Sequence, residues 1–231
     1  MNIIAVVPAR SGSKGLPNKN IAIVNDMTLI EIAINVGLNC NLITDVYIST
    51  DSNEYTDIAE RAGAKSKGLR KSYLSDDNAK SVDVVIDLLE SLDESYEYLV
   101  LLQPTSPIRE PGDIEKMLNK IIINHADACV SVSQLIEPHP YKLKLISEEG
   151  FLEPFMVEGS EVPRQSLPPV YALNGAIYVI KVETLLRDKT FFPPKTLPYL
   201  MNDNINIDSE EDLIFLKAMT KSDKIKIWDK N

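Results

Sequence analysis

Residues 3–20 read IIAVVPARSGSKGLPNKN, and this stretch decides the fold. Its first five residues are all apolar, which is typical of a strand that is buried on both faces of a parallel sheet. The run stops at Pro8, and a loop rich in glycine, serine and basic residues follows. A buried strand that leads directly into such a loop predicts an α/β protein with a ligand site at the carboxyl end of the strand.

The loop at residues 8–20 is basic, although the chain as a whole is acidic. It contains Arg10, Lys14 and Lys19 and no acidic residue, whereas the 231-residue chain has a formal net charge of -10. Its two glycines let backbone amides turn toward one point, and its serines add hydroxyl donors. A polyphosphate would satisfy these donors, and a solvated glycine-rich turn is the alternative. Because the spacing is neither GxGxxG nor GxxxxGKS/T, a dinucleotide fingerprint and a Walker-type loop are disfavoured.

The chain beyond this loop alternates between strand and helix patterns. Apolar residues at 28–38 recur at helical spacing, and Ser52 precedes a second helical segment as a capping residue. Successive βα units with right-handed crossovers predict a doubly wound, mostly parallel, Rossmann-like sheet. The further predicted strands are 46–50, 98–102, 127–133 and 171–180, and the predicted helices are 28–38, 54–62, 79–92, 111–123 and 208–219.

Residues 137–170 interrupt this alternation. Six prolines lie in this segment, too many for a regular helix. We interpret it as an arm inserted into a single domain that spans residues 1–231.

Composition excludes several classes of protein. A net charge of -10 disfavours a nucleic-acid-binding surface, because such surfaces neutralise phosphates with lysine and arginine. Cys40 and Cys129 are far apart and belong to no zinc-type pattern. No apolar stretch approaches the roughly 20 residues that a membrane span needs. We therefore expect a cytoplasmic protein that binds neither nucleic acid nor membrane.

The loop and four later motifs resemble one family, the CMP-N-acylneuraminate synthetases, also called acylneuraminate cytidylyltransferases. The loop matches the family signature through ARSGSKG at residues 9–15 and Lys19-Asn20. The later motifs occur in the order that the family shows, so the resemblance spans nearly the whole chain. They are LQPTSPIR at residues 102–109, Arg164-Gln165, NGAIY at residues 174–178, and Asp208 at the start of the last helix.

The resemblance implies a nucleotidyltransferase fold and a defined reaction. In this family the 2-hydroxyl of a nine-carbon 2-keto sugar acid attacks the α-phosphorus of CTP, and pyrophosphate leaves. The protein's main task in such a transfer is to align the reactants and to neutralise developing charge. The implied substrates are CTP and a nine-carbon ulosonic acid: sialic acid or a relative such as legionaminic or pseudaminic acid.

Matching residue by residue assigns Arg10 and Lys19 to catalysis, where they would contact the triphosphate and stabilise charge on the leaving group. For two further residues a structural alternative stays open. Arg70 belongs to a basic run that would be merely solvated, and Ser81 would cap a helix. The other nucleotide contacts that the resemblance implies are Ala9, Ser11, Gly12, Ser13, Lys14 and Asn20, together with Arg70 and Ser81.

A second group of residues would bind the sugar. The amide of Gln103 would hydrogen-bond a polyhydroxylated sugar, and the planar fork of Arg164 suits its carboxylate. Tyr178, Phe191 and Phe192 match aromatic positions that line the sugar pocket in relatives, with core packing as the rival explanation.

The resemblance also implies Mg²⁺ as cofactor, with Asp208 as its ligand. Many members of the family carry Asp-x-Asp at this position, whereas this chain has Asn206-Ile207-Asp208. An asparagine carbonyl still ligates a metal or orients a bound water. The alternative is that Asp208 only caps the last helix at its positive end.

In the family the arm exchanges between subunits, so the resemblance implies a homodimer. Two other functions stay open. One is a 3-deoxy-manno-octulosonate cytidylyltransferase. The other is a catalytically weak, nucleotide-binding homologue that acts as a dimeric partner, an alternative that Asn206 motivates.

Overall fold

The computed structural model describes residues 1–13, 15–156 and 161–228. Within these residues the strands are β1 (Ile3–Pro8), β2 (Ile23–Val24), β3 (Met27–Thr28), β4 (Asp45–Ser49), β5 (Tyr98–Leu101), β6 (Ala128–Gln134), β7 (Lys144–Ile146), β8 (Leu152–Pro154), β9 (Tyr171–Lys181) and β10 (Thr196–Leu200). The helices are α1 (Leu29–Leu38), α2 (Asn53–Arg61), α3 (Ser81–Glu90), α4 (Pro111–Ile123), α5 (Val182–Asp188) and α6 (Glu210–Lys221).

One six-stranded sheet organises the chain, with the order β10-β6-β9-β5-β1-β4. β1 pairs in parallel with β4 and β5, and β10 pairs in parallel with β6. β9 runs antiparallel to its neighbours β5 and β6. The prediction of a doubly wound, mostly parallel α/β sheet is therefore confirmed, with a single reversed strand inside it.

The apolar run of β1 is buried on both faces of this sheet, as predicted. Ile3, Ala5 and Val7 pack into the cluster that α1 and α4 cover, and Ile4 and Val6 pack into the cluster beneath α3 and α5. All five side chains are fully buried. Since successive residues of a strand point to opposite faces, a strand between two helical layers needs an unbroken apolar sequence.

The sequence prediction included neither α5 nor the strands β2, β3, β7, β8 and β10. α5 has only seven residues, and β10 contains Pro198, which argues against a central strand. β10 is in fact an edge strand that pairs with β6 alone, where a missing backbone N–H is tolerated.

The last helix begins at Glu210, two residues later than predicted. Ser209 is its N-cap, because the Ser209 Oγ accepts a hydrogen bond from the backbone N–H of Asp212 at 3.2 Å. Asp208 lies before the helix, so the expectation that it opens the helix is wrong. Its carboxylate faces Lys19 and Asn206 instead.

The segment predicted to be an arm contains a short hairpin. β7 and β8 pair with each other and not with the main sheet, and every residue of both strands is exposed. No α-helix lies among the described residues of this segment, as its prolines predict. The assignment of residues 1–231 to a single domain with an arm at 137–170 stays a prediction.

None of the helices in the described ranges is long and apolar enough to cross a membrane.

β9 carries a bulge on the side that pairs with β6. Between the pairs Val130–Tyr178 and Val132–Leu173 the register with β6 shifts, and Gly175 adopts a φ of 73°. The buried Asn174 side chain fills the gap. Its Oδ1 accepts hydrogen bonds from the Ser131 Oγ at 2.5 Å and the Ala176 N–H at 3.1 Å, and its Nδ2 donates to the Ser133 Oγ at 3.2 Å.

We expect Asn174→Ala to destabilise the fold by about 1–3 kcal/mol, because buried donors and acceptors lose their partners. Urea denaturation measures this difference. Asn202→Ala, at an exposed position, is the matched control and should leave the midpoint unchanged. Equal midpoints for the two variants would contradict a structural role for Asn174.

Candidate active site

A cleft of about 230 Å³ opens at the carboxyl end of β1 and β5. Its walls come from the loop after β1, the segment before α3 and the turn after β5. The sequence-predicted residues that the structure brings together in its lining are Arg10, Lys19, Asn20, Arg70, Ser81 and Gln103.

Arg10 lies at one wall of the cleft and contacts acidic residues that the prediction missed. Its Nη1 donates to the Asp76 carbonyl oxygen at 2.9 Å and lies 3.0 Å from the Asp77 carboxylate. Both aspartates line the same cleft. The Arg10 guanidinium therefore already forms an ion pair with the Asp77 carboxylate.

Ser11 faces a carboxylate, which changes the predicted phosphate cradle. The backbone N–H and the hydroxyl of Ser11 contact the two carboxylate oxygens of Asp51 at 2.8 and 3.2 Å. Asp51 follows β4 by two residues, and its position at a strand end was the signal that could have identified it.

Ala9 is buried beside the contact between Ser11 and Asp51, and its N–H donates to the Ser49 carbonyl oxygen. Lys14 lies outside the described residues.

The two glycines of the loop differ in what surrounds them. A Cβ built on Gly12 meets nothing within 4 Å, whereas one on Gly15 would lie 2.5 Å from the carbonyl oxygen of Asp208. Ser13, between them, donates its N–H to the Ser11 carbonyl oxygen at 3.1 Å. The loop thus packs at Gly15 directly on the backbone that carries the predicted metal ligand.

Lys19 and Asp208, the predicted catalytic lysine and metal ligand, form an ion pair. The Lys19 Nζ lies 2.9 Å from the Asp208 Oδ1, and Asn206 Nδ2 donates to the other carboxylate oxygen. The Asp208 side chain is 65% exposed, so the carboxylate is accessible from solvent. The helix-cap alternative for Asp208 is wrong, because Ser209 provides the side-chain cap.

Asn20 fixes the end of the loop. It is 4% exposed, and its Nδ2 donates to the Arg10 carbonyl oxygen at 2.9 Å. Its Oδ1 is buried without a hydrogen-bond partner among the described residues. Because Asn20 follows Lys19 in the chain, its amide connects the backbone beside Lys19 to that of Arg10.

Arg70 is not part of a merely solvated basic run. Its guanidinium donates to the Ser49 Oγ at 3.2 Å, to the Ser49 carbonyl oxygen, and to the Leu74 carbonyl oxygen at 3.3 Å. The pKa of Arg70 is lowered to about 10, chiefly by burial; Asp51 opposes this effect, and the neighbouring Arg10 adds to it. Lys65, Lys67 and Lys71 pair with Asp45, Asp93 and Asp87 instead.

A second pocket of about 360 Å³ adjoins the cleft and shares Ser81 and Gln103 with it. Ser81 is the first residue of α3, and the N-cap is Lys80, so Ser81 is not the cap. The amide of Gln103 approaches the β9 bulge, since a Cβ on Gly175 would lie 2.8 Å from its Oε1. Gln103 therefore stands between the two pockets.

Three predicted aromatic residues line the second pocket. The ring centroid of Tyr178 lies 5.5 Å from that of Phe191 and 6.1 Å from that of Phe192. Phe191 is 7% exposed and belongs to the core, whereas Phe192 is 48% exposed at the pocket. Burial raises the pKa of the Tyr178 hydroxyl. Core packing thus explains why Tyr178 and Phe191 are aromatic. It does not explain Phe192, whose side chain is exposed at the pocket.

Arg164 lies outside the lining of both pockets. It sits in the arm, where its Nη1 is 3.5 Å from the Glu137 Oε1, and both side chains are exposed. The structure of one chain does not bring it to the other predicted sugar ligands.

Among the described residues no group of three or more histidine, cysteine, aspartate or glutamate side chains could hold a metal ion. Asp208 is therefore not part of a preformed carboxylate cluster. A metal at this position would need further oxygen ligands from water or substrate.

The fold of this mostly parallel sheet also occurs in other solved structures. The structure superposes on a CMP:2-keto-3-deoxy-manno-octonic acid synthetase complexed with CTP with a TM-score of 0.74, 13% identity and coverage of 96% of this chain and 100% of the other. It superposes on 4-diphosphocytidyl-2C-methyl-D-erythritol synthase from Anaerococcus prevotii with a TM-score of 0.66, 14% identity and coverage of 95% and 96%. At these identities the likeness concerns the fold.

Residues 4–144 match the model of the cytidylyltransferase family. The chain belongs to this family.

Named relatives agree with the sequence motifs. The chain is 35% identical to an N-acylneuraminate cytidylyltransferase of Streptococcus agalactiae over 93% of its own length and 52% of the relative's. It is 32% identical to CMP-N,N'-diacetyllegionaminic acid synthase of Legionella pneumophila over 92% and 93% of the two chains, and 28% identical to a pseudaminic acid cytidylyltransferase of Campylobacter jejuni over 96% and 97%. The chain thus spans about half of the first relative. The resemblance stated from the motifs is confirmed.

The two glycines provide a matched pair of substitutions. Gly15→Ala forces a Cβ against the Asp208 carbonyl oxygen, and such overlaps cost about 1–3 kcal/mol. Because the sequence predicts that this loop binds CTP, we expect the substitution to lower the affinity for CTP about tenfold. Gly12→Ala has free space around the new methyl group and should change the affinity little. Isothermal titration calorimetry with CTP measures both. Equal losses would show that the contact with Asp208 does not set the loop position.

Proposed function

We propose that the chain is a CTP-dependent cytidylyltransferase that converts a nine-carbon 2-keto sugar acid into its CMP-sugar and releases pyrophosphate. The sugar would be sialic acid or a relative such as legionaminic or pseudaminic acid. The observation that carries the proposal is the junction of a cleft lined by Arg10, Lys19 and Arg70 with an aromatic pocket at Gln103. The named activities of the relatives support it. The cytoplasm stays the predicted compartment.

The geometry suits such a transfer. The triphosphate would occupy the basic cleft, and the sugar would occupy the aromatic pocket, so that they meet beside Ser81 and Gln103. The sugar 2-hydroxyl oxygen would bond to the α-phosphorus, the bond to the pyrophosphate oxygen would break, and the hydroxyl proton would be released. Arg10 and Lys19 would neutralise the charge that grows on the leaving pyrophosphate.

Mg²⁺ fits the residues present as a cofactor that arrives with the nucleotide. Mg²⁺ is usually held by one or two carboxylates together with water and substrate phosphates, and Asp208 offers one accessible carboxylate. When bound, the ion would screen the phosphate oxygens from one another. Asn206 would orient Asp208 through its amide N–H rather than add a second charged ligand.

Nucleotide binding would exchange the partners of the Lys19–Asp208 ion pair. In the free protein each group neutralises the other at 2.9 Å. A triphosphate would attract Lys19, and the released Asp208 would then be available to the metal. Exposed ion pairs contribute only about 0–1 kcal/mol, so this exchange costs little.

The arm supports a homodimer. Its exposed apolar side chains include Ile146 at 76%, Phe151 at 68% and Leu152 at 71% exposure. Clustered apolar groups of this kind are typical of surfaces that pack against another protein. In a dimer the arm of one subunit would carry Arg164 to the sugar pocket of the other.

The primary test follows pyrophosphate release with CTP, Mg²⁺ and a panel of N-acetylneuraminic, legionaminic, pseudaminic and 3-deoxy-manno-octulosonic acids. We expect turnover with at least one nine-carbon acid and little with the eight-carbon acid. Lys19→Ala is the control against contaminating activity and should lower kcat about 100-fold or more while the melting temperature stays close to that of the parent.

Turnover only with the octulosonic acid would replace the proposed substrate class. Tight CTP binding without turnover for any sugar would favour the nucleotide-binding homologue instead.

Partner exchange predicts opposite effects of Asp208→Asn with and without metal. In EDTA the variant should bind CTP about two- to fivefold more tightly than the parent, because Lys19 is no longer paired. In Mg²⁺ it should bind more weakly, because the metal loses its carboxylate ligand. Calorimetric titration with CTP in each buffer measures both effects.

Asp203→Asn is the matched control for this experiment. Asp203 is an exposed carboxylate five residues before Asp208, and it forms no ion pair within the described ranges. Both affinities should be unchanged. Weaker binding by Asp208→Asn in EDTA would contradict the exchange.

A further inference from the structure

Arg109 is a buried cation without an anionic partner. It is 2% exposed, and within the described part of the chain no carboxylate lies at ion-pairing distance. Its Nε and Nη2 have no hydrogen-bond partner there either. Burial lowers the pKa of Arg109 to about 9. Burying an unpaired charge is costly, so the contacts that this side chain does make call for an explanation.

All of its hydrogen bonds come from Nη1 and go to backbone carbonyl oxygens. Nη1 lies 2.8 Å from the oxygen of Gln103, 3.0 Å from that of Ser106 and 2.8 Å from that of Ala176. The first two carbonyls belong to the turn at residues 103–106, and the third belongs to β9. One nitrogen thus joins the turn after β5 to the bulged strand beside it.

The turn at residues 103–106 packs tightly on the bulge. A Cβ on Gly175 would lie 2.8 Å from the Gln103 Oε1 and 2.9 Å from the Ser106 Oγ. The Ser106 hydroxyl also lies 3.0 Å from the Asn174 carbonyl oxygen. This close approach leaves little freedom for the turn as long as Arg109 holds both segments.

The same turn also supports the segment that carries Asp208. The Thr105 carbonyl oxygen accepts from the Ile207 N–H at 2.8 Å, and the Ser106 hydroxyl lies 3.1 Å from the Asn206 Oδ1. Asn206 in turn donates to the Asp208 carboxylate. Displacement of the turn would therefore move both Gln103 and Asp208.

The phosphate side of the cleft has supports of its own. Arg10 is held by residues 76 and 77, and Asn20 is held by the Arg10 carbonyl oxygen. Arg70 is held by Ser49 and Leu74. None of these contacts involves the turn at residues 103–106.

We propose that Arg109 is a positioning residue for cytidylyl transfer: its guanidinium fixes the turn at residues 103–106 against β9 and so sets the places of Gln103 and Asp208. The kinetic part of this inference rests on the proposed function. Its effect should fall mainly on sugar binding and on the metal-binding segment.

The experiment compares Arg109→Met, which keeps the length of the side chain without its donors, with Arg109→Lys, which keeps a cation with N–H donors. Arg61→Met, at an exposed arginine that ends α2, is the control. For each protein we would measure hydrogen exchange of the backbone amides, affinity for CTP in EDTA, and the KM for the sugar with kcat per titrated active site.

We expect Arg109→Met to speed exchange at Ser106 and Ile207 while the amides of β1 stay protected. Its KM for the sugar should rise about tenfold or more, since small displacements of binding groups have effects of this size. Its CTP affinity in EDTA should change less than its KM for the sugar, because Arg10, Asn20 and Arg70 keep their own contacts. Arg109→Lys should recover part of both losses, and Arg61→Met should match the parent.

Wild-type exchange at Ser106 and Ile207 in Arg109→Met would overturn the inference. So would a loss confined to the number of active sites with an unchanged KM, because that result indicates a merely structural role. If the parent protein used no sugar at all, the proposed function would fail, and the exchange measurement would still decide whether Arg109 holds the turn.

Discussion

The ion pair between Lys19 and Asp208 joins segments that lie 189 residues apart, and the cleft depends on their meeting. The pair itself is too exposed to hold them, since such pairs contribute at most about 1 kcal/mol. Backbone contacts place them instead. Gly15 lies against the Asp208 carbonyl oxygen, and the Ile207 N–H donates to the Thr105 carbonyl oxygen at 2.8 Å. Because packing sets the geometry, the charges are left available to exchange partners.

The charge of the cleft follows from the same arrangement. The loop after β1 is basic in sequence, yet Arg10 faces Asp77, Lys19 faces Asp208, and Ser11 faces Asp51. The cleft of the free protein is therefore closer to neutral than the sequence of the loop alone implies. An anionic ligand would compete with these carboxylates rather than enter an unoccupied positive site. Such competition favours ligands that bring their own cation.

The sequence allowed much of the fold to be predicted, because a strand covered on both faces needs the unbroken apolar pattern of β1. It also allowed Arg10, Lys19 and Asn20 to be grouped, since they follow a single strand. Asp51 and Arg109 escaped, because their roles arise from contacts with Ser11 and Ala176 that only the folded chain brings together. The partners lie 40 and 67 residues apart in the chain, so the residues around each position do not reveal the contact.

A strand and an arginine show the same limit. β10 was missed, because Pro198 counts against a strand until its place at the sheet edge is known. Arg164 matches a family motif, yet it lies in the arm, beside Glu137, and outside the pocket lining of its own chain. A motif fixes the identity of a residue, and the neighbours of that residue depend on the fold and on any partner subunit.

Asn206 decides how the proposed metal would be bound. A second carboxylate at this position would leave a net negative charge beside Lys19, which would bind a divalent cation before the nucleotide arrives. The neutral amide instead donates to Asp208 and leaves Lys19 and Asp208 balanced. The charge that holds Mg²⁺ would then come mainly from the triphosphate. On the proposed function, metal and nucleotide would therefore bind together, and the single carboxylate would orient the ion rather than supply most of its affinity.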